Sequence, residues 1–169
     1  FYYDENFILK EGMCGIAGGI NLSTGNINDI IASLKHRGPD AQEFYTYKRL
    51  SLIHTRLSIQ DIGHGSQPFS IGNYVIIFNG EIYNHLRLRK LISKYNFTTQ
   101  CDTETLLALF IEYGISALKK CDGMFAFAIL DKKSNQLFLG RDRVGKKPLY
   151  FYKSGGEFFF ASELNSIKA

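Results

Sequence analysis

Met13-Cys14-Gly15-Ile16-Ala17-Gly18-Gly19 is the stretch around which the rest of the chain is organised. A cysteine followed at once by glycine and a run of small residues is an unusual way to open a packed domain. Gly15 adds no side chain beside the sulfur and tolerates backbone angles that other residues avoid. Both properties suit a sulfur that a substrate must reach with backbone close by. The competing reading is a buried structural cysteine at the head of a strand, because free cysteine is among the most buried residue types. The residues that follow, Ile16 to Asn21, are a short apolar run of the kind found in buried strands.

With 169 residues the chain has the length of one ordinary domain with a real core. Its net charge of +4 is spread out, the densest basic stretches being Arg87 to Lys90 and Arg141 to Lys147. No recognition motif accompanies them, so nucleic acid is not an expected partner. The three cysteines, Cys14, Cys101 and Cys121, lack C-x-x-C spacing and have no histidines at zinc-site intervals. That pattern predicts no metal site and reduced thiols in a cytoplasmic protein. No apolar run approaches the roughly 20 residues of a membrane helix, and no signal-peptide core is present, so no membrane partner is expected.

Ile27, Ile30, Ile31 and Leu34 repeat at helical spacing, which predicts a helix over 26–36 after turn chemistry at Ser23 to Asn26, with Gly38-Pro39 as the stop. Strands are expected over 43–47, 50–54 and 74–78, with an ordered loop over 56–68. Asn84 can cap a helix carrying Leu88, Leu91, Ile92 and Tyr95. Asp102 can cap another, with Leu106, Leu107, Phe110 and Ile111 inward and Gly114 at its end. A short helix at 117–120 and four strands over 124–130, 136–141, 149–152 and 157–161 complete the pattern, with Ser162 as cap of a terminal turn. This order predicts an α+β domain with two sheets face to face and helices outside.

Singly, the polar motifs read as structure. Asn79-Gly80 between apolar runs is a strong hairpin signal for a type I′ turn, yet an amide side chain and an adjacent glycine N–H can also form an oxyanion hole. Arg56, among apolar neighbours, suits a structural ion pair or a fork that holds a carboxylate. Asp102 suits a helix cap or the partner of an ammonium group, and one residue can do both. His36 and His54 read as structural. Arg141 to Lys147 lacks P-loop spacing and reads as an ion-paired turn at a sheet edge.

Their order along the chain carries more. Cys14-Gly15-Ile16-Ala17-Gly18, His36-Arg37-Gly38-Pro39-Asp40, His54-Thr55-Arg56-Leu57-Ser58-Ile59, Gln67-Pro68, Asn79-Gly80-Glu81-Ile82-Tyr83-Asn84, Cys101-Asp102-Thr103-Glu104, Asp122 to Ala128, Arg141 to Tyr150 and Phe160 to Leu164 follow in one register. The set resembles the class II glutamine amidotransferase domain of asparagine synthetases (glutamine-hydrolysing), from Met13 to about Ile167. The resemblance implies a four-layer α-β-β-α sandwich of N-terminal-nucleophile hydrolase type. It makes residues 13–169 a glutamine amidotransferase type 2 domain without its C-terminal synthetase domain, and residues 1–12 an extension, tag remnant or pro-segment. It implies glutamine as substrate, with Cys14 as nucleophile once it is residue one and its own α-amine as base. Asn79 and Gly80 would form the oxyanion hole, Arg56 would hold the α-carboxylate and Asp102 the α-ammonium, and Ile59, Gln60 and Glu81 would line the pocket.

The resemblance implies no cofactor in this domain, and ATP and Mg for the missing synthetase domain, which would adenylate aspartate. The partners it implies are that domain or a separate synthetase subunit, with a second copy of the chain as a further candidate. Amidation of a sugar or peptide, or a catalytically silent glutamine-binding module, are the alternatives. Two departures stand out. Twelve residues precede Met13, which predicts an inactive or immature form while they are attached. Glu43 stands where the family's HRGPDxxG has its last glycine, which predicts an altered loop there.

Overall fold

The protein is described by a computed structural model over residues 13–57 and 65–168. Strand β1 (Gly15–Ile20) lies at the centre of the first sheet. Its neighbours there are β2 (Ala41–Tyr47), β3 (Leu50–Arg56), β8 (Tyr150–Ser154) and β9 (Glu157–Ala161), in the order β2-β3-β1-β9-β8 with every adjacent pair antiparallel. The second sheet holds β4 (Phe69–Ile71), β5 (Tyr74–Ile82), β6 (Gly123–Asp131) and β7 (Gln136–Arg141), in chain order and antiparallel.

Strand periodicity sorts the apolar residues into three layers of core. Between the sheets, Ile16, Leu52 and Phe160 meet Val75, Ile77, Ala126, Ala128 and Leu130. On the outer face of the first sheet, Ala17, Ile53 and Ala161 pack with Ile27, Ile30 and Leu34 of helix α1 (Thr24–Leu34), with Ile167 of the short α4 (Asn165–Lys168) against them. On the outer face of the second, Ile76, Phe78, Phe127 and Ile129 pack with Leu88 of α2 (His85–Arg89) and Leu106, Leu107 and Phe110 of α3 (Asp102–Tyr113). The expected four-layer α-β-β-α sandwich of N-terminal-nucleophile hydrolase type is what the chain forms. Each large apolar side chain taken fully out of water contributes about 1.5–3 kcal/mol.

Several local expectations change. Helix α1 begins at Thr24 because Ser23 and Asn26 make a reciprocal capping box, so the turn chemistry read there is helix-start chemistry. Helix α2 is one short turn: Leu91 is 46% exposed, and Asn84 spends its amide on Lys120 O and Asp122 instead of a cap. Ile111 is likewise exposed, and a 3₁₀ segment over Gly114–Lys120 replaces the short helix. Ser162 caps nothing, since its Oγ accepts from Ile16 N (3.0 Å) and its N–H donates to Ile16 O (2.8 Å), fastening the end of β9 to β1. Glu43 lies in β2 opposite His54, in a strand and not a loop.

Gly15 is a glycine for a reason other than access to the sulfur. A Cβ there would lie 2.5 Å from Thr55 Oγ1, which accepts from Gly15 N (3.1 Å) and donates to Leu34 O (3.2 Å). The vacant side-chain position is filled from β3 and α1. Overpacking of this kind costs about 1–3 kcal/mol, so Gly15→Ala is expected to melt several degrees below the parent, at ~2–4 °C per kcal/mol. Unchanged melting would show that Thr55 can move aside.

Candidate active site

Cys14 sits just ahead of β1, at the end of the sandwich where β3 finishes. Its sulfur lies 3.4 Å from the Leu57 N–H, which donates to it, and 3.6 Å from Leu57 O. Arg37 holds the residue from behind: its Nε donates to Cys14 O (3.1 Å) and its Nη1 to Glu163 Oε1 (3.0 Å), which also meets His36 Nε2 at 3.0 Å. His36 is therefore structural, as read. Burial pushes the Cys14 thiol up from its ordinary pKa, while the Leu57 backbone and the charges of Arg56, Arg37 and Lys147 pull the other way. The resting sulfur is a protonated thiol, so an attack by it needs a base.

Asn79-Gly80 is not a hairpin turn. Both residues lie inside β5, opposite Ala126 and Phe125 of β6. Asn79 continues the face of Val75 and Ile77 towards the gap between the sheets. It is 1% exposed, and among the described residues its Nδ2 has no hydrogen-bond partner. An unpaired buried amide costs about 1–3 kcal/mol. Gly80 has φ 152°, and a Cβ on it would lie 2.2 Å from Met124 O, so no other residue fits there without displacing β6. The Asn-Gly pair is explained by this strand geometry.

Asp102 is the first residue of α3, and Cys101, which makes no side-chain bond as cap, precedes it. The Asp102 Oδ2 accepts instead from Ile82 N at 2.8 Å, across 20 residues of sequence. Burial raises its pKa to about 6, with the nearby charge of Glu81 adding to the rise and backbone N–H groups of Ile82 and Thr103 opposing it. The folded state thus holds this proton more tightly than the unfolded chain does. Its stability is greatest below the ordinary carboxylate pKa and falls as pH rises from about 4 to about 6, by ~3 kcal/mol at 1.36 kcal/mol per unit. A cation bound beside the carboxylate would restore that loss.

The α3 terminus is itself held rigidly. Glu104, fully buried, accepts from the Tyr95 hydroxyl and from the N–H and hydroxyl groups of Thr98 and Thr99, all at 2.7–2.8 Å. These bonds bring its pKa down to about 2 against the effect of burial. Arg89 closes the same loop through Thr99 O and Cys101 O.

Cys14, Arg56, Asn79, Gly80, Glu81 and Asp102 all line one cavity of about 120 Å³. The sequence expectation brought together these six, while Ile59 and Gln60 lie outside the described residues. Among the further wall residues, three polar ones had been given no role: Gln67, Thr103 and Lys147. Their signals were the quoted Gln67-Pro68, Cys101-to-Glu104 and Arg141-to-Tyr150 motifs. The last of these is a turn organised by Asp142, whose carboxylate accepts from the N–H groups of Phe125, Val144, Lys146 and Lys147. The turn delivers Lys147, 7% exposed, to the cavity wall. Among the described residues no cluster of three or more His, Cys, Asp or Glu could hold a metal ion. Nor, among those residues, is any helix long and apolar enough to cross a membrane.

Comparison with known proteins agrees with this geometry. Asparagine synthetase [glutamine-hydrolyzing] 1 of Bacillus subtilis is 39% identical over 167 residues, covering 92% of this chain and 26% of its own length. Asparagine synthetase B [glutamine-hydrolyzing] of Escherichia coli is 37% identical over 165 residues, covering 92% and 30%. The chain spans between 22% and 35% of the length of the curated relatives that it matches first. Among solved structures, the glutamine phosphoribosylpyrophosphate amidotransferase of B. subtilis superposes with a TM-score of 0.73 at 21% identity, over 92% of this chain and 43% of that one. That likeness shares the fold. The family model for the glutamine amidotransferase domain matches residues 13–169, which takes in Cys14 and β1, both sheets and every wall of the cavity, and the chain belongs to that family.

Proposed function

We propose that this domain hydrolyses glutamine for an asparagine-synthetase-like enzyme and that the cavity beside Cys14 is where it does so. The observation that carries this reading is the convergence of a cysteine sulfur and a buried, unpartnered Asn79 amide on one pocket. Arg56 would receive the glutamine α-carboxylate by two hydrogen bonds and Asp102 the α-ammonium, which leaves the side-chain amide at the sulfur.

Cleavage of the Met13–Cys14 bond frees an α-amine of pKa about 7.7–8.0, a suitable base for a thiol. The amine takes the thiol proton, the sulfur attacks the amide carbon, and the developing oxyanion meets Asn79 Nδ2–H and Gly80 N–H. Collapse breaks the C–N bond and the amine's proton leaves with ammonia. Water then adds to the γ-glutamyl thioester, glutamate departs and the thiol is restored. The ammonia acceptor, with the ATP and Mg chemistry that activates it, belongs to a synthetase domain or partner subunit. The names of the relatives favour aspartate as acceptor over a sugar or peptide, and the three free cysteines fit a reducing cytoplasm.

Glutamine at about 100 times its dissociation constant should stabilise the protein by about 2.7 kcal/mol, which thermal melting at pH 7.5 would register as a clear upward shift. Asp102 must be ionised to hold the ammonium, and its pKa in the empty site is about 6. Affinity should therefore weaken about tenfold between pH 7.5 and pH 5. No glutamine-dependent shift at either pH would refute the binding site. Equal affinity at both would remove Asp102 from it.

A further inference from the structure

We propose that Gln67 is a positioning residue that clamps the backbone of Phe78 and so aims the Asn79–Gly80 pair at the reacting amide. The inference rests on the oxyanion-hole reading of that pair. Strand β4 pairs with β5 only as far as Ile76, so β5 runs on towards its reacting end without a strand on that side. The side chain of Gln67 takes over there: Phe78 N donates to Gln67 Oε1 at 2.6 Å.

Gln67 has a second anchor. Its Nε2 donates to Thr103 Oγ1 at 3.3 Å, and both residues are buried. Thr103 follows Asp102, whose carboxylate accepts from Ile82 N on the far side of Asn79–Gly80. The first two residues of α3 therefore hold β5 on both flanks of the oxyanion pair, at Phe78 through Gln67 and at Ile82 directly. The donors and the ammonium site form one unit, and a small misplacement of such a unit costs reaction rate on the order of 10².

The test is the steady-state kinetics of the processed protein, with Cys14 verified as its amino terminus by mass spectrometry. Gln67→Met should lower kcat by ~10–100-fold and change KM by less than about threefold, because the clamp acts on the transition-state donors. Gln67→Glu keeps the acceptor, and its protonated form restores the donor to Thr103. Its kcat relative to the parent should therefore rise as pH falls from 8 to 6, which a merely structural role would not produce. Thr103→Val should cost less than Gln67→Met, and the double variant should be no worse than Gln67→Met alone.

Should Gln67→Met fail to fold, Thr103→Val and the pH profile of Gln67→Glu decide the matter. Parental kcat in these variants, alongside a slowed Asn79→Ala, would overturn the clamp. Equal losses in kcat and affinity would overturn it too. Full activity in Asn79→Ala would instead overturn the oxyanion-hole reading.

Discussion

Cys14→Ala is expected to reduce glutamate release to the uncatalysed background, a loss on the order of 10⁶ in kcat if this nucleophile behaves as those of other covalent hydrolases do. The variant should still bind glutamine, because the groups proposed to hold the substrate are Arg56 and Asp102, and its melting temperature should rise with glutamine as the parent's does. That pairing separates chemistry from binding and excludes the silent-module reading. A protein that retains Met13 should be as inactive as the alanine variant. Its Cys14 nitrogen is an amide with no basic lone pair, while burial keeps the thiol protonated. Glutamate release assayed beside N-terminal mass analysis is the measurement. Parental turnover from either form would require another nucleophile or another base.

Asn79→Ala is the second large effect, a loss of about 10²–10³ in kcat with little change in KM. The Asn79 amide is preorganised for charge that appears only as the tetrahedral species forms, so its removal touches the transition state and not the bound substrate. In the resting protein the same amide is buried without a partner, at a cost of about 1–3 kcal/mol. Alanine removes that cost and leaves a small gap in exchange. The variant should consequently melt no lower than its parent, a sign opposite to that of an ordinary core truncation. Asn79→Asp presents an acceptor where a donor is needed and should be slower still. Calorimetry and steady-state rates on the same preparations would establish both signs.

Much of this architecture was legible in the chain because the apolar residues carry it. The continuous apolar runs of β5 and β6 and the i, i+3, i+4, i+7 pattern of α1 are local signals, and they gave the layers and their order. Asn79-Gly80 was legible as a motif but wrong as a turn. The turn rule assumes that the chain reverses, while here β6 lies so close that only glycine fits at position 80. Asp102 shows the same limit: a helix-start aspartate suggests a cap, yet its acceptor oxygen is used by Ile82, far away in sequence. Gln67, Arg37 and Lys147 were present in recognisable motifs without a role. What each does depends on a partner from another layer, which spacing along one chain does not encode.

Strand β1 takes one neighbour from nearby in sequence and the other from more than a hundred residues further along. β1 pairs with β3 on one side and with β9 on the other, and Ser162 bonds both the N–H and the C=O of Ile16. During vectorial synthesis one edge of β1 thus stays open until residues 159–162 have emerged. Contacts of such long sequence separation also form slowly. Until β9 is in place, Cys14 therefore stands beside a strand that is packed along one edge only.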